Sequence, residues 1–392
     1  MEAVLNQPES LKLTIINRSF WPNYPVIGEA LLRFAEDAAE HGHRVSVIFC
    51  GTKEVVENLE QIDRGQGVSF YPMKERTSSS SALIVRILGS ILFAFWVLIK
   101  LLAIRPDRIY VSTDPPIVVP FITMLYCKYS GASFVYHLQD IHPEAANVVM
   151  PIHGWLYGTL VKVDSLTMRR AESLITITKQ MADEICFRSR TTAPTHILNN
   201  PAISFDNIDL GKLKERGFSF CGNVGRMQRI PLILGAIEAY LIQGGKLKFT
   251  FAGGGVYADQ LNSFAKKFEL FEYRGRVDPI EAAQISANFA WALLPIEDEV
   301  TRYAFPSKSS SYVLSGAKIL AVCDPQTSVA KWVCENTVGV VVVPEIDALV
   351  STFFEIEQGT LDITSNIQLR NALTHKLGFD QFVDALHRIV LQ

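Results

Sequence analysis

Apolar, β-rich runs alternate with stretches of helical periodicity along this chain, and they do so in two successive series. Residues 11–17 (LKLTIIN) form a short apolar run. In 28–41, Leu31, Leu32, Phe34, Ala35 and Ala38 recur at helical spacing and share one face. Gly42 stops that helix, and 44–49 (RVSVIF) returns as a strand. A strand, a helix and a strand in that order predict a parallel pair with a right-handed crossover. Residues 108–112, 133–137 and 174–178 continue the first series. Asn199-Asn200-Pro201 is a turn-forming break. Beyond it, 218–221, 248–252, 271–274, 290–294, 319–322 and 338–343 read as strands with helical connections. The expected architecture is α/β, with two Rossmann-like domains and a break near 200–215. A chain of 392 residues suits two domains, at roughly 100–200 residues each. In such sheets, ligands bind beyond the carboxyl ends of the strands.

Composition narrows the function classes. A net charge of −3 gives no global attraction to nucleic acid. The 48% hydrophobic and 20% charged content suits packed cores and excludes wholesale disorder. Six cysteines (50, 127, 186, 221, 323 and 334) include no Cys-x-x-Cys pair, so we expect reduced thiols in a cytosolic compartment. Residues 1–10 are polar without an apolar stretch, so no secretory signal is expected. The serine run 78–81 reads as a loop.

Residues 83–104 (LIVRILGSILFAFWVLIKLLAI) resemble a membrane helix. Between Arg86 and Lys100 lie 13 uncharged residues, roughly 20 Å of helix against a hydrocarbon core of roughly 30 Å. A helix dipping into one leaflet, a buried core helix and a span are the three readings. Trp96 and the flanking cations favour the first.

Several segments could carry chemistry. The loop 18–27 leads into a helix near Gly28, which is either a turn glycine or a point of close approach to a ligand. It is not Gly-x-Gly-x-x-Gly, and no acidic residue ends the second strand, which argues against a nicotinamide or flavin site. In 220–226 (FCGNVGR), a strand runs into Gly222, Asn223 and Gly225, then Arg226, a candidate phosphate ligand. Strand 248–252 ends in Gly253, Gly254 and Gly255, a second permissive loop. Ser307 and Lys308 stand at a helix start, where a cation joins free N–H donors; Lys308 is either a solvated surface lysine or part of a diphosphate clamp. Glu299 lies upstream as a candidate for sugar hydroxyls. His137, Asp140, His142 and Glu144 cluster in YHLQDIHPEA, with a spacing that matches no common zinc pattern. Asp140 is either a capping residue or a group that orients or deprotonates an acceptor hydroxyl.

These segments together resemble family 4 glycosyltransferases of the GT-B fold, from the bacterial capsule, O-antigen and exopolysaccharide branch. The likeness runs through 20–48, 110–116 (YVSTDPP), 135–144, 169–177 (RRAESLITI), 220–228 (FCGNVGRMQ), 251–255, 273–277 and 305–308. It spans 11 to about 345. The resemblance implies two Rossmann-like domains with parallel sheets facing a central cleft. Residues 1–200 would be the acceptor domain, carrying the membrane-associating helix near 83–104. Residues 201–376 would be the donor domain, and 377–392 a C-terminal helix returning to the first.

The same resemblance implies a retaining, metal-independent hexosyltransferase without cofactors. It would move sugar from a UDP-linked donor to a polyprenyl-diphosphate-linked glycan at the cytoplasmic face of the bacterial inner membrane. Arg226 and Lys308 would hold the diphosphate, with Gly222, Asn223, Gly254, Gly255 and Ser307 around the donor. Gly28 would approach the donor from the other domain, and Asp140 would lie near the reacting sugar. Residues 274–277, with Arg274 and Val277 at their ends, would lie near the base. The chain departs from the family at three acids. Ser311 takes the place of a glutamate that commonly contacts the ribose; Thr301 occupies the other glutamate position, leaving Glu299 as the nearest upstream acid. Ser328 stands where relatives carry a downstream acid. These departures keep open a second reading, a transferase-like partner subunit without catalysis.

Overall fold

The computed structural model describes residues 10–74, 83–205, 208–361 and 367–392. The first nine residues of the polar opening and the serine run 78–81 lie outside them. The chain forms two units. The first comprises Met1–Pro143, Ile152–Leu198 and Phe382–Gln392; the second comprises Glu144–Pro151 and Asn199–Gln381.

The first unit holds a seven-stranded sheet of β1 (Lys12–Ile16), β2 (Arg44–Cys50), β3 (Val68–Met73), β4 (Arg108–Ser112), β5 (Ser133–Leu138), β6 (Ser173–Thr176) and β7 (Thr195–Ile197). The order is β3-β2-β1-β4-β5-β6-β7, with every pairing parallel. The central strands are covered on both faces, which is why they read as near-continuous apolar runs. β3 and β7 escaped the sequence reading. One is a half-buried edge strand containing a proline, the other only three residues long. The strand order reverses direction between β1 and β4, so the crevice at their carboxyl ends is the expected ligand position.

The apolar helix spans Leu83–Ile104, and its two sides differ. Phe93, Ala94, Val97 and Leu101 recur at helical spacing and are buried in the unit. Leu88, Leu92, Phe95, Ile99 and Leu102 are exposed, Phe95 to 60%. Val85–Ile104 is long and apolar enough to cross a membrane, with a mean hydropathy of 2.5. One side is nevertheless committed to packing against the helix Val118–Ser130 and the sheet. Trp96 is half-buried and donates its indole N–H to Tyr71 O at 3.4 Å. Lys100 lies over the Trp96 and Tyr71 rings, at 4.3 and 4.9 Å from their centroids.

The second unit holds a six-stranded sheet of β8 (Glu215–Cys221), β9 (Lys248–Ala252), β10 (Phe271–Tyr273), β11 (Phe289–Pro295), β12 (Lys318–Val322) and β13 (Gly339–Val342). Its order, β10-β9-β8-β11-β12-β13, repeats the winding of the first sheet and is again parallel. Register places Phe218 opposite Phe249 and Phe220 opposite Phe251. Those ring pairs stack at 5.3 and 5.1 Å, forming the centre of the core beneath the helix Ile230–Ile242. The short helix Glu144–Val149 packs in this unit against the 3-10 turn Asp298–Arg302.

Candidate functional site

In the second unit the winding reverses between β8 and β11, and the strand-end loops there are knitted by backbone contacts. The Gly222 N–H donates to Ala252 O at 2.9 Å, and Val224 N–H to Gly254 O at 3.0 Å. A Cβ on Gly253 would overlap the carbonyl of Gly222, and one on Gly255 would press on Val224 O. Gly222 and Gly253 also sit at φ +148° and +136°. The glycines that the sequence marked as ligand-approach points are thus required first for the two loops to lie backbone to backbone. Gly254 is roofed by the side chain of Arg276, one of the residues 274–277 expected near the base.

Lys308 opens the helix Lys308–Leu314 and reaches back over this loop. Its ammonium lies 3.7 Å from the centroid of the buried Phe220 ring. A Cβ on Gly222 would stand 3.0 Å from Nζ, so the ammonium packs closely on this glycine. Nζ is buried with no hydrogen-bond acceptor among the described residues. Burial pushes its pKa down to about 7. A buried, unpartnered cation is costly, and an anionic ligand would satisfy it.

Arg226 begins the 3-10 turn Arg226–Gln228 just past β8; it is exposed and has no ion-pair partner among the described residues. Asn223 is exposed on the same loop. Arg229, unmarked by the sequence, ties the crevice together. Its Nε donates to Ile296 O at 2.8 Å, and its guanidinium pairs with Asp298 at 2.8 Å and Glu297 at 3.2 Å. The Glu297 N–H donates to Met227 O at 2.9 Å, so the loops after β8 and β11 are held side by side. Burial pushes the Glu297 carboxyl up, while Arg229 opposes the shift. Glu299 is exposed on the turn that follows, and Ser307 is exposed before Lys308.

Three further residues expected at the donor already have partners or partial burial in this unit. Arg274 is exposed and paired with Glu272 at 2.8 Å and Glu281 at 3.5 Å, which engages its charge on the surface. Val277 is half-buried. Ser311 is buried, and its Oγ accepts the Ile203 N–H at 3.2 Å, anchoring the segment that enters the unit rather than presenting a free hydroxyl. The hydroxyls of Ser328 and Thr301 are bonded internally. Ser328 Oγ donates to Thr301 O at 2.9 Å, and Thr301 Oγ1 to Asp298 O at 2.7 Å. All three hydroxyls are neutral, buried and hydrogen-bonded, and need no counter-charge.

The first unit presents its own strand ends. Asp114, after β4, accepts the Ser19 N–H at 2.8 Å, while its carbonyl accepts the Arg18 N–H at 2.8 Å. Asp140, after β5, is pushed up to about 6 by burial and by the Asp114 charge. Gln139 N–H donates to Thr113 Oγ1 at 3.3 Å and helps fix the loop. His137 belongs to the core. Its Nδ1 meets Tyr110 Oη at 2.6 Å, and burial pushes it down to about 3, so it stays neutral. Gly28 lies in the first turn of the helix Ile27–Glu40, and its N–H donates to Tyr24 O at 2.9 Å. A Cβ there would stand 2.6 Å from the Phe20 and Trp21 backbone, so the glycine serves the loop folded over its own helix.

No protein-family profile matches the chain. The probable glycosyltransferase WbjE of Pseudomonas aeruginosa is 26% identical over 280 residues, covering 67% of this chain and 69% of that protein. Anabaena Alr3699/HepE in complex with UDP superposes with a TM-score of 0.66 at 14% identity, over 97% of this chain and 99% of that one. An E. coli trehalose-6-phosphate structure bound with UDP-2-fluoro glucose gives 0.68 at 13% identity, over 97% and 99%. The chain has a GT-B fold. A GT-B fold alone fixes neither substrate nor reaction, so the chemistry must be argued from the residues.

Proposed function

We propose that the protein is a glycosyltransferase that moves a sugar from a nucleoside-diphosphate donor, UDP-linked, to a lipid-linked acceptor in bacterial surface polysaccharide synthesis. The observation that carries this is Lys308, a buried ammonium beside Gly222 at the winding reversal of the second sheet, with no acceptor among the described residues. A departing diphosphate is the anion such a group suits. WbjE's name and the UDP complexes of the fold relatives support the same reading.

Arg226 and Lys308 neutralise charge developing on the diphosphate, which makes a catalytic metal unnecessary. Transfer is retaining. The acceptor oxygen attacks from the face the diphosphate leaves, and a phosphate oxygen takes the acceptor proton, so no carboxylate is obligatory as base. Asp140 then orients the acceptor hydroxyl, and Glu299 contacts a donor hydroxyl. A screen of nucleotide sugars with a short-chain lipid-diphosphate acceptor tests the proposal. Absence of transfer from every donor, with no nucleotide binding in calorimetry, would instead support the non-catalytic partner, the reading favoured by the acids replaced at Thr301, Ser311 and Ser328.

Two expected results follow from this mechanism. Activity persists in EDTA, and Asp140→Asn lowers kcat by about 10- to 100-fold, as loss of acceptor orientation would, while nucleotide affinity is retained. Because the Asp140 pKa is raised to about 6, wild-type turnover falls as pH drops through that value, and the Asn variant lacks this limb. Full activity in the variant, or complete metal dependence, contradicts the mechanism.

The exposed side of the Leu83–Ile104 helix rests in the cytoplasmic leaflet, with Leu125 and Tyr129 of the neighbouring helix adding apolar surface. Changing Leu88, Leu92, Phe95 and Ile99 together to serine moves the protein to the soluble fraction, because exposed groups leave the lipid without opening the core. Unchanged fractionation with a folded variant refutes membrane docking through this face.

A further inference from the structure

We infer that Asp37, His41 and His387 form a binding site for a divalent transition metal of the zinc type, which clasps the C-terminal helix to the first unit. Asp37 and His41 stand one turn apart on the helix Ile27–Glu40 and just past its end. His387 comes from the helix Phe379–Leu391, whose residues from Phe382 onward belong to the same unit. One ligand atom from each of the three lies within 4.8 Å of the others. The His387 Nδ1 is 2.6 Å from one Asp37 carboxylate oxygen, and the His41 Nδ1 is 3.4 Å from the other. The two imidazoles meet edge to face at 4.6 Å between centroids.

Tetrahedral zinc, with bonds near 2.0–2.2 Å, separates its ligand atoms by roughly 3.3 Å. The present spacing brackets that value, so rotamer adjustment suffices. Two imidazole nitrogens beside one carboxylate suit zinc better than calcium or magnesium, which take oxygen ligands. His41 is exposed, leaving an open route for the ion and room for a fourth, water ligand. His43 packs near His387, at 6.5 Å between centroids, but its Nδ1 accepts the Leu11 N–H at 3.2 Å. It therefore flanks the site rather than completing it. The helix is otherwise held by apolar packing and by Arg108, which donates to Val390 O at 2.8 Å. A metal here would add a link between residues 350 positions apart in sequence.

The site is remote in sequence from the diphosphate residues and predicts a structural effect, so its failure leaves the transferase reading intact. The test uses the full chain, stripped with chelator and dialysed, then titrated with Co²⁺ as a spectroscopic probe and with Zn²⁺ in calorimetry. We expect one equivalent bound, tetrahedral Co²⁺ absorption, and a rise in melting temperature on zinc addition. His41→Gln alters an exposed side chain and leaves the fold in place; with Asp37→Asn and His387→Gln it should weaken binding at least tenfold in each case. Because exposed Cys186 and Cys334 also attract zinc, the same titration is run on the Cys186→Ser/Cys334→Ser variant, which should bind as wild type. No binding at 100-fold excess zinc over protein overturns the proposal. So does binding that survives the three ligand substitutions or disappears with the cysteines.

Discussion

Lys308→Met lowers kcat/KM for sugar transfer by about 10²–10³, the loss typical of removing one preorganised group from developing negative charge. Nucleoside diphosphate binding weakens by about 1.5–3 kcal/mol, the value of a charge-assisted hydrogen bond. Methionine keeps the aliphatic stem over Phe220, so folding is preserved and the deficit reports on charge. The pH dependence adds a second signature. Burial holds the free Lys308 ammonium down to about 7, and a bound diphosphate raises it. Binding above pH 7 therefore takes up a proton, and affinity falls as pH rises through that value. Calorimetry in buffers of different ionisation enthalpy measures the uptake, which should vanish in Lys308→Met. Unchanged binding in that variant removes Lys308 from the site.

Arg188→Met destabilises the first unit by about 3–5 kcal/mol, because it strands a charge in the interior. Asp164 is buried and pairs with Arg188, whose side chain is only 7% exposed. Asp164 also accepts from Tyr136 Oη at 2.9 Å. Denaturant unfolding measures the loss. Replacing both partners, Arg188→Met with Asp164→Leu, should recover most of it, since an apolar pair of similar volume leaves no uncompensated charge. A single variant within 1 kcal/mol of wild type would show that water reaches the pair. Arg188 also donates to His142 O at 2.8 Å, two residues after Asp140. The single variant should therefore shift the acceptor KM, and the double variant should restore stability without restoring that KM. This separates the guanidinium's packing role from its hold on the Asp140 loop.

Alternation of apolar runs and amphipathic helices determined the two α/β series, since a parallel strand covered on both faces must be apolar throughout and its crossover must be long. β1, β4, β9 and the helix Leu83–Ile104 were legible for that reason. β3 and β7 were not, because edge strands need neither burial on both faces nor length. The site was legible where residue type is chemically unusual. Lys308 after Pro306-Ser307, and the glycine loops, stood out on that ground.

Only tertiary structure decided which atoms those residues leave free. Gly28 is spent on its own loop, Ser311 on the Ile203 amide and Arg274 on surface carboxylates, while Lys308 keeps an unpartnered ammonium. Arg229 looked like any surface cation until the fold set it against Glu297 and Asp298, some 67 residues away by its bond to Ile296. The Asp37–His41–His387 cluster likewise joins the two ends of the chain. A sequence records each side chain's chemistry and its local period. Hydrogen-bond partners distant in the chain are chosen by packing, and packing decides whether a polar group is satisfied at home or available to a ligand.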